Sequence, residues 1–223
     1  MSKSYFTTEY NAFLKELAAN NNREWFHENK KRYEKSVKEP FKKFVEDLIL
    51  RVNKLDPTVK IKPQQAIFRI HRDIRFSKDK TPYKTSNSAI IAKDGRKGMH
   101  NPGMYIEVGP EHIRVYGGLY MPDKDLLYAI RKKIANELTQ FEKVINDPGF
   151  KSVFGGIKGE QNKRIPKEFQ KTGEKQPLIY NKSFYYFSEL SPDEVLNPAL
   201  TDVIMEKHKA AEPVRKFLHS VVQ

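Results

Sequence analysis

The chain has 223 residues, 38% of them hydrophobic and 12% aromatic, with no cysteine and a formal net charge of +13. Its apolar content suffices for a core without staples, and the absence of cysteine excludes disulfides, thiolate zinc sites and a cysteine nucleophile. The charge is uneven, because residues 61–100 hold 10 basic and 3 acidic groups, which is +7 of the +13.

The polar start at Met1-Ser-Lys has no signal-peptide core, and no apolar run approaches a membrane span, so a cytoplasmic protein with no membrane partner is expected. Phe13, Leu14 and Leu17 form a first helical stripe, and Asn22 is placed to cap a second helix that begins Arg23-Glu24-Trp25-Phe26. Trp25 and Phe26 read as core at a helix start. Phe26, Tyr33 and Val37 continue the apolar spacing. Pro40 suits the first turn of a third helix that carries Phe41, Phe44, Val45, Leu48, Ile49 and Val52.

From Ala66 the period shifts towards two. Strands are expected at Ala66–Ile70, Ser88–Ile91, Met104–Val108 and His112–Tyr116, the last two joined as a hairpin across Gly109-Pro110-Glu111. Gly95 to Gly103 lacks Walker spacing and a following helix, so it reads as a hairpin loop and not a phosphate loop. Pro122-Asp123 opens one long helix whose face holds Leu126, Leu127, Ile130, Ile134, Leu138, Phe141 and Ile145, and Pro148-Gly149 closes it. Residues 155–177 read as a surface loop and Ser183–Leu190 as extended. Ser191-Pro192-Asp193-Glu194 is a capping box that leads to C-terminal helices punctuated by Asn197-Pro198 and Pro213.

Strands that cluster between helices predict an α+β fold, with an antiparallel meander flanked by N-terminal helices, one long central helix and C-terminal helices. No Pro/Gly/Ser-rich linker divides the chain. A single domain over 1–223 is expected, made of a helical segment (1–60), a basic β meander (61–122) and a helix, loop, strand and helices (123–223).

The densest charge lies between Arg69 and Lys84. Arg69, Arg72 and Arg75 recur at a spacing of three and are followed by Lys78, Lys80 and Lys84, with only Asp73 and Asp79 among them. Guanidinium forks pair with phosphate or carboxylate oxygens, and lysines add point charges. Arg69, Arg72, Arg75, Lys80 and Lys84 are therefore the candidate ligand-binding residues. Arg72, Arg75 and Lys80 converge in this reading from a turn-rich loop packed by Ile74 and Phe76. Asp73, His71 and Tyr83 are the candidate proton-transfer groups. In the competing reading, Asp73 and Asp79 neutralise the arginines in a purely architectural network that ties the meander to the helices.

The string Arg69-x-x-Arg72-Asp73-x-Arg75-Phe76-x-x-x-Lys80-x-x-Tyr83 resembles the signature of a mostly bacterial family catalogued as domain of unknown function 2461, with seven fixed positions in one window. The resemblance extends over nearly the whole chain. It takes in Asn21-Asn22-Arg23-Glu24-Trp25-Phe26, Gly117-Gly118-Leu-Tyr120-x-Pro122 and Lys163-Arg164-x-Pro166, although Glu168 stands where the family usually has glycine. It implies a shared site at these positions and supplies no chemistry.

The six histidines His27, His71, His100, His112, His208 and His219 include no helical pair with metal-ligand spacing, so no metal and no cofactor is expected. No serine sits in a G-x-S-x-G elbow. Two functions remain open. One is an enzyme or binder whose partner is an anionic small molecule bearing phosphate or carboxylate; the other is a nucleic-acid binder that uses the same cluster with sheet aromatics for stacking.

Overall fold

A computed structural model describes residues 4–98, 101 and 103–222. The fold is α+β. Its antiparallel sheet has the strand order β1 (Asn87–Ile91), β2 (Met104–Val108), β3 (Ile113–Leu119) and β4 (Phe184–Leu190). The chain divides into two compact units. The first takes the residues up to Lys97, Tyr105–Val115 and Glu189–Met205; the second takes Gly98–Met104, Tyr116–Ser188 and the residues from Glu206 onward.

In the first unit, α1 (Thr8–Ala19) buries Tyr10, Phe13, Leu14 and Leu17. Asn22 caps α2 (Arg23–Glu28) by accepting the Trp25 N–H at 2.9 Å, as the sequence predicts. α3 (Lys30–Tyr33) runs through a π-helical turn (Glu34–Lys38) into α4 (Glu39–Leu55). Pro40 thus sits in the first turn of α4, as expected, although α4 continues from the π-helical turn without a break. The wider turn explains this: proline cannot donate to the carbonyl four residues back, and the preceding Glu39 N–H bonds the Glu34 carbonyl five residues back. α4 buries Phe41, Phe44, Val45, Leu48, Ile49 and Val52 and packs on β1.

The strand expected at Ala66–Ile70 is largely replaced. Pro63–Ala66 forms a one-turn helix, α5, because Pro63 presets its first turn and the Gln65 side chain accepts the Lys62 N–H at 2.8 Å. Beyond α5 the chain pairs only through isolated antiparallel bridges, Ile67 to Ala89 and His71 to Tyr83. A 3₁₀ turn (Gly95–Gly98) stands where a hairpin loop is expected, and Arg96 donates to the carbonyls of Gln64 and Gln65. Met99, His100 and Pro102 of that segment lie outside the described residues.

In the second unit, the long central helix is two. α6 (Lys124–Asn136) ends at Glu137, whose φ of −122° leaves the helical region, and α7 (Leu138–Ile145) comes next. Packing decides the break, since α7 lies on α11 (Glu212–His219) with the Phe141 and Phe217 ring centroids 5.3 Å apart. Pro148-Gly149 opens a helix instead of closing one. Asp147 caps α8 (Pro148–Phe154) by accepting the Phe150 N–H at 2.9 Å, and Pro148 suits the first helical position.

The loop expected at 155–177 contains a further helix, α9 (Lys167–Lys175), which buries Phe169. Gly173 hides it in the sequence by reading as a breaker. A Cβ there would stand 2.5 Å from the Tyr180 ring, so the glycine is needed for close packing and not for a turn. Gly117 and Gly118 lie inside β3. After β4 the chain returns to the first unit, where a 3₁₀ turn (Pro192–Leu196) precedes α10 (Leu200–Ala210) and the Ser191 side chain accepts the Asp193 N–H. Among the described residues no helix is long and apolar enough to cross a membrane.

Candidate functional site

The site is built from a single backbone pairing in the first unit. Arg72 N–H bonds the Pro82 carbonyl at 2.9 Å and Lys84 N–H the Ile70 carbonyl at 2.8 Å, so His71 and Tyr83 face each other as a non-hydrogen-bonded antiparallel pair. That register has two consequences. Side chains are closest in such a pair, and the His71 and Tyr83 rings stand 5.1 Å apart. The N–H and C=O of Tyr83 also point outward, and the Asn21 amide takes both. Asn21 Nδ2 donates to the Tyr83 carbonyl at 2.9 Å, and Tyr83 N–H donates to Asn21 Oδ1 at 3.1 Å.

This clamp brings the Asn21–Phe26 segment against the Arg69–Tyr83 window. Phe26 stacks on Tyr83 at 4.1 Å between ring centroids with a 20° interplanar angle, and both rings are buried. Above them opens a cleft of about 770 Å³, with Phe26, Ile74, Pro82 and Tyr83 as its apolar lining and Arg23, His27, Lys30, His71, Arg72, Glu24 and Glu28 as its polar one. Among the described residues, the side chains of Arg23, His27, Lys30 and His71 make no hydrogen bond or ion pair, so their donors are available.

The loop from Arg72 to Thr81 is fastened at its base. The Arg72 guanidinium donates to Asp79 and to the Thr81 hydroxyl, and reaches Ser77 Oγ at 3.5 Å. The Thr81 N–H and hydroxyl also bond Asp79, each at 2.9 Å. The backbone N–H of Thr81, then the Arg72 guanidinium and the Thr81 hydroxyl, pull the Asp79 carboxyl down to about 2. Arg75 folds back on Asp73 at 2.7 and 3.0 Å, and its side chain and then its backbone N–H hold that carboxyl at about 2 as well. Lys80 donates to the Ile74 carbonyl at 2.9 Å.

The structure thus sorts the sequence candidates. His71, Arg72 and Tyr83 come together in the cleft. Arg75, Asp73 and Lys80 do not join them, and Arg72, Arg75 and Lys80 do not converge on a common point. Phe76, expected to pack the loop, is 95% exposed, because the Arg72 fork fastens the base through polar bonds and leaves the tip without an apolar partner. Lys84 is half-buried with its ammonium 5.3 Å from the Phe68 ring centroid, and burial pushes its pKa down. Arg69 is exposed and makes no ion pair among the described residues. The carboxylate pairs predicted for an architectural network do form, but within the loop; the tie to the helices is the Asn21 amide.

Sequence reasoning missed Arg23, His27 and Lys30. The signal was present in the Asn21–Phe26 segment, where the aromatic pair is more conspicuous than the cations beside it. Among the described residues no group of three or more histidines and carboxylates stands close enough to hold a metal ion.

A family model described as "Conserved hypothetical protein (DUF2461)" matches residues 9–217. The chain belongs to the DUF2461 family. No curated protein matches it. Within this DUF2461 chain, two of the segments that carry the likeness, Asn21–Phe26 and Arg69–Tyr83, meet at one cleft. The Lys163–Pro166 segment belongs to the second unit, where Glu168 accepts a hydrogen bond from the Tyr128 hydroxyl at 3.2 Å.

Proposed function

We propose that the cleft of this DUF2461 protein binds a small phosphate- or carboxylate-bearing ligand, with Arg23, Lys30 and His71 as its main anion contacts. One observation carries the reading. Of the basic groups around the site, the arginines of the loop are engaged with Asp73 and Asp79, while Arg23, His27, Lys30 and His71 line a concavity with their donors unspent. Arg72 acts here as a positioning residue that lines the cleft and fixes the loop beside it. The apolar lining of Phe26, Ile74, Pro82 and Tyr83 suits the body of an amphipathic ligand, and polar groups set its orientation. His71 lines the cleft, whereas the Asp73 carboxylate is committed to Arg75 and held at about 2, which makes it a poor proton acceptor.

The test is calorimetric titration of wild type, Arg23→Ala, His71→Ala and Arg69→Ala with inorganic phosphate, mononucleotides, sugar phosphates and dicarboxylates. Loss of one charge-assisted hydrogen bond, worth about 1.5–3 kcal/mol, should weaken binding by roughly 10- to 150-fold in Arg23→Ala. Arg69→Ala, outside the cleft, should bind as wild type does. Equal affinity in wild type, Arg23→Ala and His71→Ala would overturn the assignment.

A further inference from the structure

The loop beside the cleft carries a feature that a small-ligand site does not use. Phe76 is the most exposed large apolar side chain among the described residues. Its ring stands at the tip of a loop whose base is held by Arg72, Asp79, Thr81 and Ser77, so its exposure belongs to an ordered loop. The Arg75 guanidinium carbon lies 5.8 Å from its centroid. Lys78 is exposed and makes no ion pair among the described residues, while both carboxylates of the loop are already bound by arginines. Ile74, two residues before Phe76, lines the cleft, so the backbone separating tip from cleft spans at most about 7 Å.

An anion site with a bare, cation-flanked aromatic ring one short step away matches a phosphate joined to a planar base. We propose that the anion held in the cleft is a phosphate of a single-stranded nucleic acid and that Phe76 stacks on a neighbouring base. This rests on the anion-site reading above and adds to it the class of ligand. Base stacking on aromatic side chains tolerates any sequence and needs an unstacked base, which favours single strands over duplex. A flat anionic membrane would be met by Phe76 and Lys78, but it cannot fill a concave cleft whose cations are Arg23 and Lys30.

The experiment is fluorescence anisotropy with fluorescein-labelled oligothymidine, a hairpin duplex of the same length, and vesicles of equal parts phosphatidylserine and phosphatidylcholine. The proteins are wild type, Phe76→Ala, Phe76→Tyr and Arg23→Ala. Phe76→Ala should weaken single-strand binding about 5- to 150-fold, and Phe76→Tyr should retain it. Three cations that make no ion pair among the described residues, Arg23, Lys30 and Lys78, give a logarithmic salt slope near −2 for a single strand, so raising salt from about 50 to 200 mM should weaken binding roughly 15- to 20-fold. Phe76→Ala should still bind a mononucleotide in the cleft as wild type does. If mononucleotides bind but oligothymidine gains nothing from Phe76, this inference fails and the anion site stands; if neither binds and Arg23→Ala changes nothing, both fail. Duplex bound as tightly as single strand, or vesicles bound with Phe76 dependence in place of oligothymidine, would overturn the proposal.

Discussion

Replacing Asn21 with alanine tests the central element of the site, because one amide satisfies both backbone groups that the His71–Tyr83 register turns outward. Each lost hydrogen bond costs about 1 kcal/mol, and a group left unsatisfied in a part-buried position costs towards 2 kcal/mol. The sum is about 2–4 kcal/mol. At about 2–4 °C per kcal/mol for a chain of this size, the melting temperature should fall by roughly 4–16 °C, provided the two units unfold together. Asn21→Asp makes the reasoning sharper. Aspartate still accepts the Tyr83 N–H but cannot donate to the Tyr83 carbonyl, and it places a carboxylate oxygen against that carbonyl instead. It should be at least as destabilising as alanine at neutral pH. Calorimetry gives the melting temperatures, and titration with the best anionic ligand reports whether the cleft is still formed. A shift below about 1 °C in Asn21→Ala, with ligand affinity unchanged, would refute the view that the amide builds the site.

Two further predictions concern the loop and the second unit. The Asp79 carboxyl, held at about 2 by the Thr81 N–H and then by Arg72, lies below its ordinary value of 3.8, so what it contributes to loop order is intact above about pH 4 and lost as pH falls through 2. A carbon-detected shift titration should place its midpoint near 2 in wild type and higher in Arg72→Ala; a midpoint at 3.8 in wild type would contradict the fastening described here. Gly118 has a φ of +92°, and a Cβ there would stand 2.2 Å from the Phe184 carbonyl oxygen. Gly118→Ala should therefore lower stability by at least about 1–3 kcal/mol from backbone strain alone, measured by urea unfolding, and an unchanged midpoint would refute the close approach.

The helices and strands that the sequence reveals are those whose own periodicity decides them, such as α1, α4, β2 and β4. Those it misplaces are decided by something outside the segment. Leu126 to Ile145 carries one unbroken apolar stripe, yet the chain breaks at Glu137 so that α7 meets α11, a partner more than seventy residues later in the sequence. Gly173 disrupts a helical pattern because Tyr180 needs the space. Pro148 reads as a terminator until the preceding Asp147 is seen to cap a new helix.

The same distinction governs the site. The window from Arg69 to Lys84 announces itself by charge density, but density in sequence does not decide which charges are spent. Asp73 lies two residues from Arg75 and Asp79 seven from Arg72, so the short-range geometry of a turn-rich loop consumes the guanidinium groups that stand out most. Among the described residues, the cleft cations that make no ion pair, Arg23 and Lys30, come from a segment forty to fifty residues earlier, which the Asn21 amide fastens to the edge of Tyr83. Two arginines of the run, Arg72 and Arg75, are paired with carboxylates of their own loop. The binding proposed for this site therefore falls to Arg23 and Lys30, which no carboxylate pairs among the described residues, and to the Phe76 ring that the loop leaves exposed.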